Sequence, residues 1–124
     1  MKYAMLISGD EDVMNRLPAG GGPISPEFTA YTEALIKAGI LVGGERLKAT
    51  ITGRRVRVRD GKTTVLEGPY AEAREQLGGF FIIDVATEAE ALDWAARCPA
   101  SHQGTVEIRP ILVSSAVPES SRGR

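Results

Sequence analysis

A sequence of 124 residues is long enough for one domain with a hydrophobic core of its own. With 43% hydrophobic and 25% charged residues, its composition is that of a globular protein rather than a disordered one. The 15 basic and 16 acidic residues give a net charge of −1, which argues against broad electrostatic binding to nucleic acid or to an anionic membrane. The single cysteine, Cys98, fits a reducing compartment, and the apolar run at residues 3–7 is too short for a signal peptide or a membrane span. We therefore expect a cytoplasmic protein that binds neither membranes nor nucleic acid.

The first third of the chain predicts a strand, a helix and a second, short strand. Residues 2–8 are apolar on both alternating faces, which is typical of a central strand that is covered on both sides. These faces carry Tyr3, Met5 and Ile7 on one side and Ala4 and Leu6 on the other. Ser25 and Pro26 predict the start of a helix that ends at Gly39, and residues 40–42 predict the second strand. The apolar stripe expected on this helix consists of Phe28, Tyr31, Leu35 and Ile36.

The middle of the chain predicts a hairpin followed by a buried strand. Residues 51–66 surround the pair Asp60-Gly61, which is the strongest short signal for a two-residue hairpin turn. Residues 80–85 are too apolar for a surface and predict a strand of the core.

A connector at residues 67–79 joins the hairpin to this strand. Pro69 predicts the start of a short helix that continues over residues 71–77, and Gly78 supplies a left-handed stop. Because a polar connector docked before a core strand holds its side chains in fixed positions, we look for a functional site here first.

The last third of the chain predicts a second helix, a final strand and a tail. Thr87 and Glu90 form a capping box, which opens a helix that ends at Arg97. We expect this helix to bury Ala91, Leu92, Ala95 and Cys98. Residues 105–113 predict the final strand, and the polar residues 114–124 predict a flexible tail.

Without the hairpin, the order of elements is strand, helix, strand, strand, helix, strand. This order predicts a ferredoxin-like α+β sandwich at residues 1–113, with both helices on one face of an antiparallel sheet. The opposite face of the sheet would remain apolar, and soluble monomers rarely expose a large apolar patch. We therefore expect a homodimer in which a second copy covers that face.

Two charged residues on the final strand are candidates for a binding site. Glu107 and Arg109 share one face of the strand, where they could orient a small polar or anionic ligand. The alternative, which we favour, is an ion pair that stabilises an interface or a solvated edge. Asp84 could project in the same way, although a strand end in solvent is the favoured interpretation.

The connector supplies the polar candidates Tyr70, Glu72 and Gln76. A tyrosine hydroxyl beside a carboxylate can transfer protons if burial shifts their pKa values. The alternative is a surface helix that Tyr70 anchors to the core. Glu45, which follows two glycines, is a further candidate ligand, and its alternative is a turn residue.

The remaining candidates have favoured structural explanations. His102 could act as an acid or base, but an exposed loop histidine is the favoured interpretation. The acidic trio Asp10, Glu11 and Asp12 lacks the spacing of a calcium loop, so neither a metal nor a cofactor is expected. Cys98 indicates packing rather than a nucleophile. The four arginines of the hairpin could enter a nucleic-acid groove, but protection of an exposed edge strand is favoured. They are Arg54, Arg55, Arg57 and Arg59.

Residues 67–80 carry a pattern that resembles the signature of the YCII-related family. The resemblance is to the branch named for an Asp-Gly-Pro-Phe (DGPF) motif followed by Ala-Glu-x-Lys-Glu-Gln-Leu-Gly-Gly-Phe. Here the motif reads Glu67-Gly68-Pro69-Tyr70, and the next ten residues match with Arg74 in place of lysine. Further similar segments lie at residues 38–41, 94–99 and 104–110. The resemblance implies a dimeric α+β barrel, in which two sheets face each other.

The resemblance also bears on catalysis and on partners. Family members credited with enzymatic potential carry a histidine shortly after the first strand, paired with an aspartate. Residues 9–27 of this chain contain acids but no histidine, so that pair is not reproduced. The resemblance to this branch also implies an association of its genes with alternative sigma factors, and hence a regulatory protein partner as one alternative.

The leading hypothesis is a homodimer that binds a small polar or anionic molecule in a cleft at or near its interface. The connector, Glu45 and the strand with Glu107 and Arg109 would form this cleft. One alternative is a lyase or isomerase that uses Tyr70, Glu72 or His102 for proton transfer in the same cleft. The other is a regulatory interaction module.

Overall fold

A computed structural model describes residues 1–10, 25–70 and 74–112 of the chain. These residues form a four-stranded antiparallel sheet with two helices packed on one face, and a separate two-stranded hairpin. In chain order the elements are β1 (Lys2–Gly9), α1 (Pro26–Lys37), β2 (Leu41–Arg46), β3 (Arg54–Arg59), β4 (Lys62–Glu67), β5 (Gln76–Asp84), α2 (Glu88–Arg97) and β6 (Thr105–Pro110). Short 3₁₀ turns lie at Thr50–Thr52 and Pro99–His102.

The order of strands in the sheet is β2-β5-β1-β6, and every neighbouring pair is antiparallel. With the hairpin set aside, this order and the two helices define a ferredoxin-like α+β fold, so the predicted fold class is confirmed. None of the described helices is long and apolar enough to cross a membrane.

The hydrophobic core lies between the sheet and the two helices. Residues of β1 with odd numbers face the helices, which explains why Tyr3, Met5 and Ile7 are buried while their even-numbered neighbours are half-buried. The largest fully buried side chains are Met5, Leu35, Ile83 and Cys98. Burial of each large apolar side chain contributes about 1.5–3 kcal/mol relative to exposure, so this cluster is the main source of stability.

Helix α1 begins as predicted but buries a narrower stripe. Ser25 Oγ accepts a hydrogen bond from the Phe28 amide at 3.2 Å, and Gly39 follows the helix with φ of +73°. Tyr31 and Leu35 are buried, whereas Ile36 is 60% exposed, so its predicted burial is wrong. Consecutive residues lie about 100° apart around a helix, and one that follows a centrally buried position therefore points off the sheet.

Helix α2 also begins as predicted and also buries a narrower stripe than predicted. Thr87 Oγ1 accepts a hydrogen bond from the Glu90 amide at 3.2 Å, which confirms the predicted start. Ala91, Ala95 and Cys98 are buried at the expected spacing, but Leu92 is 53% exposed and its predicted burial is wrong. The buried stripe consists of small side chains, which let the helix lie close to the sheet, and Leu92 points away from it.

The short helix predicted in the connector is not formed in its described part. Gln76 and Leu77 belong to β5, where they lie opposite Gly9 and Ser8 of β1, and residues 71–73 are outside the described residues. Gly78 is the extra residue of a bulge in this pairing rather than a left-handed helix stop. Pairing with β1 adds ladder hydrogen bonds that a single helical turn could not match, since isolated turns of helix are unfavourable.

The hairpin has the two-residue turn that Asp60-Gly61 predicts. Asp60 and Gly61 have φ of +52° and +75°, the two positive values that a type I′ turn requires. The Gly68 amide donates to the Gly53 carbonyl at 3.2 Å and closes the base of the hairpin. All residues of β3 and β4 are exposed.

The final strand ends at Pro110, earlier than predicted. The predicted tail at residues 114–124 lies outside the described residues, as do Glu11 and Asp12 of the acidic trio.

Candidate ligand-binding face

The face of the sheet that the helices leave uncovered, here called the open face, carries three of the predicted site residues. Glu45 lies opposite Phe80, Phe80 opposite Leu6, and Leu6 opposite Glu107, so the four form one row across all four strands. Directly opposed residues of neighbouring strands point to the same side of a sheet. Strand spacing puts about 14 Å between the Cα atoms of Glu45 and Glu107, at the two edges.

The next row places Arg109 on the same face. In this row Gly43, Ile82, Ala4 and Arg109 lie opposite one another in turn. The centre of the open face is therefore apolar. It consists of Ala4, Leu6, Phe80 and Ile82, all of them half-buried. An apolar centre between charged edges is the usual composition of a small-molecule site or of a protein interface.

Glu107 and Arg109 form an exposed ion pair at one edge. Arg109 Nε donates to Glu107 Oε2 at 2.8 Å. Val106 and Ile108 point the other way and pack against the core, as the alternation along the strand predicts. A guanidinium has five N–H donors, so Arg109 retains further donors with which it could hold an anionic group over the apolar centre.

Glu45 lies within a strand, where the alternative interpretation expected a turn. Strand β2 continues through both glycines to Arg46. A side chain at Gly44 would place its Cβ 2.6 Å from the Phe80 carbonyl oxygen, so only glycine permits this close pairing. The double glycine before Glu45 thus continues the strand and places Glu45 on the open face.

The sequence interpretation missed a polar contact at the end of this face. Thr105, opposite Ser8, donates a hydrogen bond from Oγ1 to Glu75 Oε1 at 2.7 Å. Glu75 belongs to the family-like stretch but was not singled out, because helical spacing paired Glu72 with Gln76 instead. No local pattern pairs Glu75 with Thr105, because the two residues lie 30 positions apart in the chain.

The other connector residues do not join this group. Gln76 lies opposite Gly9, on the face of the sheet that carries Ile7, and Glu72 lies outside the described residues. Tyr70 is buried at the base of the hairpin, where the Arg55 guanidinium lies 3.6 Å from the centre of its ring. A Cβ at Gly53 would lie 3.2 Å from the Tyr70 hydroxyl oxygen. Tyr70 therefore anchors the hairpin and is not part of the main core cluster.

Two further candidates lie apart from Glu107 and Arg109. His102 is exposed at the end of the 3₁₀ turn after α2. Asp84 is exposed at the end of β5, where its Oδ1 accepts a hydrogen bond from the Met1 amine at 2.9 Å. That hydrogen bond and the positive charge of the amine lower the pKa of the Asp84 carboxyl.

The buried ionisable groups serve packing. Burial raises the pKa of the Cys98 thiol, and Cys98 lies in the core as predicted. Burial also raises the pKa of Tyr31, whose hydroxyl donates to the Trp94 carbonyl at 2.6 Å and so joins the two helices. Within residues 1–10, 25–70 and 74–112, no three His, Cys, Asp or Glu side chains are grouped closely enough to hold a metal ion.

Comparison with known sequences defines the class of protein. The pattern of the YCII-related domain matches residues 1–115. An uncharacterised protein of Rhizobium meliloti (strain 1021) is 34% identical over 116 residues, which cover 91% of this chain and 94% of that protein. The chain therefore belongs to the YCII-related family, which confirms the resemblance at the level of the family. Its assignment to the DGPF branch stays a prediction.

Proposed function

We propose that the protein is a homodimer whose open faces enclose a cleft for a small polar or anionic molecule. The observation that carries this proposal is the alignment of Glu45, Glu107 and Arg109 with an apolar centre on one face of the sheet. The second copy would enclose Ala4, Leu6, Phe80 and Ile82 as the apolar wall of this cleft, which removes apolar surface from water.

The charged edges give the cleft its selectivity. Arg109 would hold an anionic group through the donors that Glu107 does not use. Glu45, at the opposite edge, would accept hydrogen bonds from polar groups of the ligand and would repel a second anionic group there. The apolar side chains between them would contact the body of the ligand and exclude water, which strengthens the charged contacts.

A thermal-shift screen with a metabolite library tests this proposal. A ligand that binds only the folded state raises the melting temperature. We expect at least one small polar or anionic compound to do so with the wild type and to lose most of its effect with Arg109→Gln. Lys37→Gln, at the end of α1 on the other side of the sheet, is the matched control and should retain the shift. A broad library without any stabilising compound would contradict the proposal.

The described residues do not favour the alternative functions. A lyase or isomerase would need its acid and base close together, whereas Tyr70 lies at the base of the hairpin and His102 lies after α2. No feature of the described residues favours a link to sigma factors. The cytoplasmic location remains a prediction from the single cysteine.

A further inference from the structure

The hairpin β3–β4, here called the arm, has two chemically different faces. Register places Val56 opposite Val65 and Val58 opposite Thr63, which gives one face of the ribbon, the valine face. At the base of the valine face lies the ion pair of Arg54 and Glu67. The other face carries four basic side chains together with Thr64 and Leu66. The four basic residues are Arg55, Arg57, Arg59 and Lys62. Such an amphipathic ribbon is typical of a strand pair that packs its apolar face against something else.

Within the described chain, the valine face is bare. Val56 is 65% exposed, and Val58 and Val65 are each 55% exposed. A hairpin of only two strands is at best marginally stable in water when its apolar face is not covered. The chain nevertheless uses β-branched residues at all three positions, which fits a face that becomes covered on assembly.

The two strands of the arm are tied together at its base and to the residues that follow it. The hydrogen bond from the Gly68 amide to the Gly53 carbonyl closes the base. The Arg55 guanidinium stacks on Tyr70, which is buried. A hairpin whose base is closed in this way is already formed before it binds, and this lowers the entropic cost of association.

The charges of the arm and of the rest of the chain are complementary. Residues 54–67 contain five basic and two acidic residues, hence a charge of +3, which leaves −4 for the remainder of a chain with a net charge of −1. A positive arm is attracted to the negative body of another copy, and opposite potentials of this kind steer association. The body of a second copy of the chain is an acidic surface of this kind.

The position of the arm also fits a second copy. The arm leaves the sheet shortly after β2, the edge strand that carries Glu45, and the chain returns to the sheet at β5. Its base therefore follows the end of an edge strand that borders the open face. In the proposed homodimer, an arm that starts at this border would be able to reach the second copy.

We propose that each arm packs its valine face against the body of a second copy, so that the homodimer is held by exchanged arms as well as by the open faces. This inference rests on the homodimer of the proposed function, but it assigns a separate contact to a separate set of residues.

The test compares dimer dissociation constants of full-length variants by sedimentation equilibrium. The variant V56T/V58T/V65T keeps β-branched residues but makes the valine face polar. We expect its dimer to be weaker than the wild-type dimer by about tenfold or more. The matched control is R57K/R59K, which alters the opposite face of the same arm and preserves its charge, and it should dimerise like the wild type.

A second variant tests the inference if the arm of V56T/V58T/V65T does not form. Residues 54–67 are removed and Gly53 is joined to Gly68 through an Asn-Gly turn, because the hydrogen bond at the base holds these two glycines together. Circular dichroism should show that the sheet and helices of this variant unfold as cooperatively as those of the wild type. Its dimer should again be weaker than the wild-type dimer by about tenfold or more.

The outcomes separate this inference from the proposed function. If both arm variants dimerise as tightly as the wild type, the arm inference is overturned while the homodimer stands. If the wild type itself is monomeric at every concentration, the homodimer and the exchanged arms both fail.

Discussion

Leu6 and Phe80 lie directly opposite each other on the two central strands of the sheet, on the face that neither helix covers. Both are large apolar side chains and both remain half-buried. Their row ends in a carboxylate at each edge, Glu45 on β2 and Glu107 on β6. The open face is thus an apolar patch with charged borders, and the proposals on assembly and on ligand binding depend on this arrangement.

The packing of the core predicts that alanine substitutions at two neighbouring residues of α1 differ greatly in their effect on stability. Leu35 is fully buried, so Leu35→Ala should lower the free energy of unfolding by about 2–5 kcal/mol through lost burial and a residual cavity. Ile36 is exposed, and Ile36→Ala should change the free energy of unfolding by about 0.5 kcal/mol or less. Denaturant unfolding followed by circular dichroism measures both. Equal losses would contradict the assignment of the buried face.

The contact between Asp84 and the Met1 amine predicts a pH-dependent contribution to stability. Because the pKa of Asp84 is lowered in the folded state, its ionised form stabilises the fold above the ordinary aspartate pKa of about 3.9. This contribution is lost as the pH falls through the lower pKa of the folded state. Asp84→Asn should therefore melt at a lower temperature than the wild type at neutral pH and at the same temperature at about pH 2.

The control for this effect is Asp93→Asn, an acid on α2 for which no ion pair is found with the described residues. Its melting temperature should differ little from that of the wild type at either pH. A difference for Asp84→Asn that persists at about pH 2 would show that the amide acts through something other than charge.

The pairing of β2 with β5 predicts that Gly44 is required for the open face. In Gly44→Ala the new Cβ would meet the Phe80 carbonyl oxygen and the Phe81 side chain, so β2 must shift away from β5. We expect a lower melting temperature and faster amide hydrogen exchange in β2 and β5. Ala34→Gly, on α1, is a control that weakens a helix without touching this pair. Normal exchange in β2 would contradict the close approach.

Local signals in the sequence were enough to predict most of the fold. The caps at Ser25 and Thr87 and the turn at Asp60-Gly61 depend on hydrogen bonds and dihedral angles within a few residues. The alternation along β1 was also sufficient, because a period of two fixes which side chains share a face. These features predicted the order of elements, and the order predicted the ferredoxin-like fold.

What the sequence did not predict depends on contacts between distant residues. Gln76 and Leu77 are good helix formers but pair with β1, which lies nearly 70 residues earlier in the chain. For the same reason the contact between Glu75 and Thr105 was missed, since it joins two strand ends that have no common local pattern. Glu45, Glu107 and Arg109 were singled out individually, but only the register of four strands places them on one face.

The central claim is that a second copy covers the open face, and sedimentation velocity of the wild type and of Leu6→Lys at micromolar concentration tests it most directly. The account predicts a dimer for the wild type and a folded monomer for Leu6→Lys, because a charge at the centre of the face cannot be buried without a partner. Leu92→Lys, an equally large change on the outer side of α2, should remain a dimer. A wild type that sediments as a monomer, or a Leu6→Lys variant that still dimerises, would contradict the claim.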